Sequence, residues 1–375
     1  MSSVLRLSKR SEYLVFGLMP AIVTAGIIAY VVRRGLLAVD FRSDFWAAGW
    51  RLLHDRNPYL WPRSQVAAGV SFPYPASTAV LFTPFALLGP GPAGWLFTML
   101  CILASLGTLW ALSVADWRLY GLLLLWSPVM AGWQTANVTP IMTFAVALLW
   151  RWRDRALVSG LLLAALVCLK PIAAPLGLWM LATRRYTAAA WAAGIALAAS
   201  LASWALVGFG EIHDWLRLLS VQGDLLYRKG YGVIALVVDA GLGRGAGSVL
   251  AVAVTCALAV GCVIAGRRGL ALVCFTLAVV MMITVSPQVD EHYFMLLIVP
   301  LALVRPRFGP VWLLPLLLWP APTNTFALWQ VVLFWAVAVV VLTVCLRSAL
   351  GRGDTIRASA GSSGLGANRT RPSPA

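Results

Sequence analysis

The sequence predicts an all-α polytopic membrane protein, and three observations carry that expectation. Hydrophobic residues fill 61% of the 375 positions, charged residues only 11%, and the mean hydropathy is +0.85; a soluble domain does not have this balance. Apolar runs recur from Tyr13 to Leu346, many long enough to approach the ~20 residues that a helix needs to cross the hydrocarbon. Arg and Lys fall in short clusters between those runs and in the two tails, which is the pattern of topology signals. That distribution also argues against nucleic acid as the partner of the +16 net charge; membrane lipid is the partner it implies. Many of the 18 Trp stand near the ends of runs, as an interfacial aromatic belt requires.

Residues 1–12 carry Arg6, Lys9 and Arg10, which predicts a cytoplasmic N-terminus. The run 13–32 is too long for a signal-peptide core and reads as a retained first span. Residues 33–75 then form an extracytoplasmic loop. Asp40 and Asp44 stand there at the start of a short amphipathic stretch, in a chain with only 13 acids. Ser43 is expected to cap that helix, with Asp44 in the first turn where a negative charge suits the dipole. Phe45, Trp46, Gly49, Leu52 and Leu53 form an apolar stripe at helical spacing, so the helix is expected to lie flat on the outer leaflet with Asp40 just before it. Asn57-Pro58 ends it. A carboxylate held where water meets lipid can take a proton from a hydroxyl on a lipid-borne substrate. Asp40 has no capping duty and is the favoured base.

Shorter runs follow at 76–89, 93–113, 119–131 and 138–150, the last two separated by Gly132-Trp133-Gln134-Thr135-Ala136-Asn137. The amides of Gln134 and Asn137 suit either a sugar hydroxyl or the cap of a broken helix. The cluster 151–155, Arg-Trp-Arg-Asp-Arg, precedes a run at 156–182 that is interrupted by Lys170-Pro171. In one continuous helix Lys170 would sit ~18–20 Å from either end, too deep to snorkel, at ~2.5–3.5 kcal/mol on insertion scales. Either an anion pairs with it there, or the helix breaks at Pro171 and Lys170 faces a polar cavity. The basic clusters at 184–185, 267–268 and 305–307 agree on one orientation, which puts 33–75, 210–230 and 286–291 together outside. The cluster 151–155 fits only if the Lys-Pro break makes 156–182 a hairpin.

Residues 210–230 read as an interfacial helix that ends in Arg228 and Lys229, both candidates for binding a phosphate. Asp290 and Glu291 precede His292 between two spans, facing the same compartment as Asp40. With both termini inside, the total is even, about 12 transmembrane helices in a multi-span domain over 13–346. The Gly/Ser/Arg-rich 347–375 reads as a disordered cytoplasmic tail. Six cysteines lie in or at the ends of apolar runs without a C-x-x-C, which supports neither a disulfide framework nor a zinc site. No P-loop, H-E-x-x-H or G-x-S-x-G occurs, so soluble nucleotide-sugar chemistry is not expected.

Taken in order, Val39-Asp40-Phe41-x-x-Asp44 after the first span, Asn57-Pro58-Tyr59, Phe72-Pro73-Tyr74-Pro75, the segment with Gln134 and Asn137, Lys170-Pro171 inside a run, and the Ser286-Pro287 to His292 loop resemble glycosyltransferase family 87 over roughly residues 13–305. The family's pattern differs at Ala76, at Trp133 and at Tyr293. The resemblance implies a GT-C fold with interfacial helices in the first outer loop. It implies inverting transfer of a hexose, mannose in the family, from a polyprenyl-phosphate donor to a glycan or glycolipid hydroxyl on the extracytoplasmic side of the inner (plasma) membrane. No cofactor is implied beyond that donor, and a divalent metal stays open. Asp40 matches the family's base, with Asp44 beside it, and His292 matches the late loop histidine. Lys170 matches the Lys-Pro lysine, and Tyr74, Gln134, Asn137, Arg228, Lys229 and Asp290 are substrate-binding candidates. The rival reading is a transporter or flippase of lipid-linked sugars, which also tolerates a deep lysine and broken helices; a non-catalytic assembly protein is the third.

Overall fold

The computed structural model describes residues 8–320 and 326–364; residues 1–7 of the expected N-terminal segment and 365–375 of the expected tail lie outside the described residues. The described chain is helical, without strands. Among the described residues five helices are long and apolar enough to cross a membrane: Lys9–Arg33, Pro90–Ala111, Tyr186–Val207, Arg244–Arg267 and Leu328–Gly351. The other apolar runs form shorter helices, among them Ala76–Ala86, Thr139–Arg151, Ala156–Leu169 and Ala271–Thr284. By length and composition, then, fewer segments qualify than the twelve that the run count suggests. The terminal helix continues to Gly364, so residues 347–364, expected as part of a disordered tail, are helical.

Hydrogen bonds and ion pairs sort the connecting segments into two ends. At one end, Arg118 pairs with Glu12 at 3.3 Å and with Asp116 at 2.8 Å, and the Phe308 N–H donates to Asp116 Oδ2. Arg151 donates to the Ala111 carbonyl, and Arg185 pairs with Asp154 at 2.9 Å. At the other end, Trp46 Nε1 donates to the Leu88 carbonyl, Trp215 Nε1 to the Pro73 carbonyl, and the Tyr231 N–H to the Val289 carbonyl. Segments 33–75, 210–230 and 286–291 therefore meet at one end, as the sequence predicts.

The Asp154–Arg185 pair decides the course of 156–182. Ala156–Leu169 rises about 21 Å at the helical rise. The chain then turns through an extended Lys170 (φ −157°, ψ 113°) and a 3₁₀ turn at Pro171–Ala173, and returns as Pro175–Ala182. Both ends of the hairpin lie at the Arg-rich end, which brings the 151–155 cluster into line with the other basic clusters. Proline causes the break: it has no N–H to donate, and its ring clashes with the preceding turn. The carbonyls freed on the Lys170 side do not go unpaired. Ser77 Oγ donates to Cys168 O at 2.6 Å, and Thr78 Oγ1 donates to Leu169 O at 2.9 Å, both from the first turn of Ala76–Ala86. The Ala156–Leu169 arm packs along Tyr186–Val207 at Gly160, where a Cβ would come 2.6 Å from Trp191 Cβ.

The helix after the first span differs from its expected form. Helical from Val39, it passes through a π-helical turn, Phe41–Trp46, and continues as Ala47–Leu53. Ser43 does not cap it; its Oγ lies 2.9 Å from the Val39 carbonyl and 2.8 Å from Asp44 Oδ1. Nor does the apolar stripe lie flat on lipid. Phe41 and Phe45 are fully buried in an aromatic cluster with Phe72, Tyr74, Phe82 and Phe97. Gly49 sits so close to Ala76–Ala86 that a Cβ would come 2.7 Å from the Phe82 carbonyl oxygen. The stripe reads alike for lipid and for protein; the second surface, Ala76–Ala86, is what decides between them.

Candidate active site

Asp40 is placed by a reversal of the chain after the first span. Ala38 takes a left-handed conformation (φ 57°) and is buried; its N–H donates to the Gln134 carbonyl at 2.8 Å, and the Phe41 N–H donates to the Thr135 carbonyl at 3.2 Å. The facing strand of backbone reverses at Ala136, also left-handed (φ 54°). Between these ties Asn137 Nδ2 donates to Asp40 Oδ2 at 3.0 Å, while Asn137 Oδ1 accepts from the N–H and hydroxyl of Thr139. Asn137 thus takes the capping option at the start of Thr139–Arg151 on one side and holds Asp40, rather than a sugar hydroxyl, on the other. Gln134 contributes its backbone.

Lys170 stands at the apex of the hairpin and is buried. Its ammonium lies 4.1 Å from the centroid of the Tyr293 ring and 5.2 Å from that of Tyr74. Among the described residues it has no ion pair within 4 Å. Three acids nonetheless lie within reach of its charge: Asp40, Asp44 and Asp290. His292 lies within the same reach; it is buried, and its Nε2 has no hydrogen-bond partner among the described residues.

Burial is the main force on these carboxyls. It raises Asp40 above the ordinary carboxylate range, against the hydrogen bonds from Asn137 and Thr135 and the charge of Lys170. It raises Asp44 further, because Asp40 adds repulsion there. Asp290 is pushed up to about 6 by burial and by Asp40. Three acids facing one lysine cannot all ionise cheaply, so the cluster holds protons at pH values where free carboxylates have lost theirs.

Of the ten sequence-proposed residues, the structure brings Asp40, Asp44, Tyr74, Asn137, Lys170, Asp290 and His292 to one place. Gln134 adjoins it. Arg228 and Lys229 do not join the cluster: both are exposed, and Arg228 pairs with Asp239 at 3.2 Å. Their loop is nevertheless stapled to the Asp290 segment, since Gly230 (φ 118°) lets the backbone pass against Val289. Sequence reasoning missed Tyr293 as a wall of the lysine site and Thr135 as a partner of Asp40. Both adjoin residues already singled out, but an aromatic or a threonine in an apolar chain gives no signal of its own. Among the described residues no three or more His, Cys, Asp or Glu are arranged to hold a metal ion.

A second polar junction lies nearby. Asn57 Nδ2 contacts Glu211 Oε2 and donates to Asp214 Oδ2 at 2.7 Å, and its Oδ1 accepts from the Tyr59 N–H. It ties the first loop to Glu211–Leu226, where Arg217 stacks over Trp61 at 4.0 Å.

Searches of curated proteins and of solved structures return no match. The model of glycosyltransferase family 87 matches residues 72–287, more than half of the chain. The matched span contains Tyr74, Asn137 and Lys170; Asp290 and His292 lie just after it and Asp40 and Asp44 upstream of it, joined to it by the contacts above. With its apolar helices, the chain belongs to glycosyltransferase family 87 and is a membrane-associated glycosyltransferase.

Proposed function

We propose that the cluster transfers a hexose, mannose by the family resemblance, from a polyprenyl-phosphate sugar to a hydroxyl of a glycan or glycolipid, with inversion. The observation that supports this most is the placing of one hydrogen-bonded carboxylate, Asp40, in the same buried cluster as an otherwise unpaired lysine. An inverting transfer needs one base and a means of stabilising the leaving phosphate. Asp40 takes the proton of the acceptor hydroxyl as that oxygen forms its bond to the sugar C1. The bond from C1 to the phosphate oxygen breaks, and both electrons leave with the polyprenyl phosphate. That group departs as an anion, so no acid has to protonate it. Lys170 faces it as a point charge, and its two tyrosine walls leave the ammonium without a competing carboxylate at contact distance.

Asn137 fixes Asp40 and favours its charged form. Burial works in the opposite direction and makes the carboxylate more basic than a solvated one. The two together suit a base that must stay ionised yet accept a proton in the transition state. Asp44, the most strongly raised of the three, serves as a neutral hydrogen-bond donor to the sugar or acceptor. His292, with a free Nε2, is placed to orient a hydroxyl. The topology signals support an extracytoplasmic location for this end of the bundle, in the inner (plasma) membrane, with a lipid-linked donor entering from the bilayer.

The test is transfer of labelled mannose from polyprenyl-phosphate-mannose by membranes carrying Asp40→Asn. Loss of about 10²–10⁴-fold is expected for removal of a general base. Wild-type turnover in that variant would remove Asp40 from the role.

A further inference from the structure

The end of the bundle opposite the acid cluster carries a cavity of about 450 Å³. Arg305, Arg307, Phe308 and Pro310 form one wall, and Val344 of the terminal helix Leu328–Gly364 forms the other. We infer that this cavity binds the phosphate headgroup of an anionic membrane phospholipid.

The arginines around it divide into two kinds. Arg118, Arg151 and Arg185, at the same end, are committed to Asp116 and Glu12, to the Ala111 carbonyl and to Asp154. Arg305 and Arg307 have no ion pair among the described residues and are exposed. Arg305 is close enough to the terminal helix for its charge to act on Cys345. One turn beyond Val344 on the same helix face stands Arg347, also exposed. Two or three guanidinium forks around one concavity suit a phosphodiester, which they can grip bidentately.

The apolar side of the cavity continues toward the bilayer interior. Val340 and Ala336 precede Val344 at helical spacing on the terminal helix, and both are exposed, so an apolar face runs on from the cavity. A basic mouth above an apolar track matches a lipid, with headgroup at the rim and acyl chains along the helix, and free phosphate has no use for the track. Topology signalling alone would explain basic residues at this end, but it requires neither a cavity nor unpaired guanidinium groups around it.

Native mass spectrometry of the purified full chain tests this, with added phosphatidylglycerol, phosphatidylcholine and inorganic phosphate as probes. Arg305→Gln/Arg307→Gln is compared with Arg184→Gln/Arg267→Gln, which removes the same charge from the same end away from the cavity. The expected result is retention of phosphatidylglycerol by wild type and by the remote pair. The cavity pair should retain about tenfold less, from two surface cations that each attract an anionic lipid. Equal losses in the two pairs would reduce the effect to bulk charge and overturn the site, as would equal retention of phosphatidylcholine. Displacement of the lipid by inorganic phosphate at matching concentration would make it a free-anion site and overturn the lipid reading. If the cavity pair does not fold, Arg307→Gln alone carries the comparison: a several-fold loss supports the site, and no loss sinks it.

Discussion

Of the two side-chain hydrogen bonds on Asp40, the one from Asn137 acts on it more strongly than the one from Thr135, and that makes Asn137 a sensitive position. Asn137→Leu removes the hydrogen bond that favours the ionised carboxylate, so the folded pKa of Asp40 rises further. The acid limb of the pH–rate profile should move to higher pH, and turnover at neutral pH should fall about tenfold or more; an unmoved limb would show that Asp40 is not the titrating base. Asp290 offers a stability test of the same electrostatics. Its folded pKa of about 6 lies above the ordinary aspartate value of 3.8. Its contribution is therefore favourable below the lower value and is lost as pH rises to the upper one. Asp290→Asn removes the penalty and should raise the melting temperature at pH 8 by the equivalent of about 2–3 kcal/mol, but hardly at pH 4. Lys170→Met should fold, since the ring walls accept an apolar chain, yet lose most transfer activity through kcat; Lys170→Arg keeps the charge but replaces a compact ammonium with a planar fork, and should restore only part of it. At this scale the sequence was informative wherever a residue is expensive in an apolar chain, and Asp40, Lys170 and His292 all announce themselves in that way. It was silent on Tyr293, whose role comes only from facing the lysine.

The broken hairpin is the element on which the site depends. Its apex stays ordered because Ser77 and Thr78 satisfy the carbonyls that Pro171 leaves without donors. Thr78→Val keeps the shape and removes the donor at a fully buried position, so a loss of about 1–3 kcal/mol in thermal stability is expected. Activity should fall with it as Lys170 loses its seat, and Thr78→Ser should restore both. The Lys-Pro pair made the break legible in the sequence, but not its partner, because hydroxyls 90 residues away carry no mark of whom they serve. The helix after the first span departs from its expected setting for a related reason. Its apolar stripe was visible, but only the close approach of Gly49 to Phe82 shows that the stripe faces protein. Because the chain is already helical from Val39, Ser43 lies inside the helix and its hydroxyl bonds back to the Val39 carbonyl instead of capping.

Across the whole molecule, the polar segments collect at two ends, and the basic clusters read from sequence fall together at one of them. Accessibility labelling of single cysteines at positions 155, 184 and 268 should report the same compartment, with position 57 reporting the opposite one. Position 155 labelling with position 57 would contradict the hairpin. The order of the segments could be read from charge. The number of crossings could not, since helices of 8–14 residues give no length criterion. The hairpin also bears on how the protein is made. A ribosome feeding residues 156–182 into a translocon presents a hydrophobic stretch long enough to be threaded once, which would invert everything downstream. Arginines flank it on both sides, so a single threading would drag one flank across the bilayer, whereas the looped insertion leaves both where they emerged.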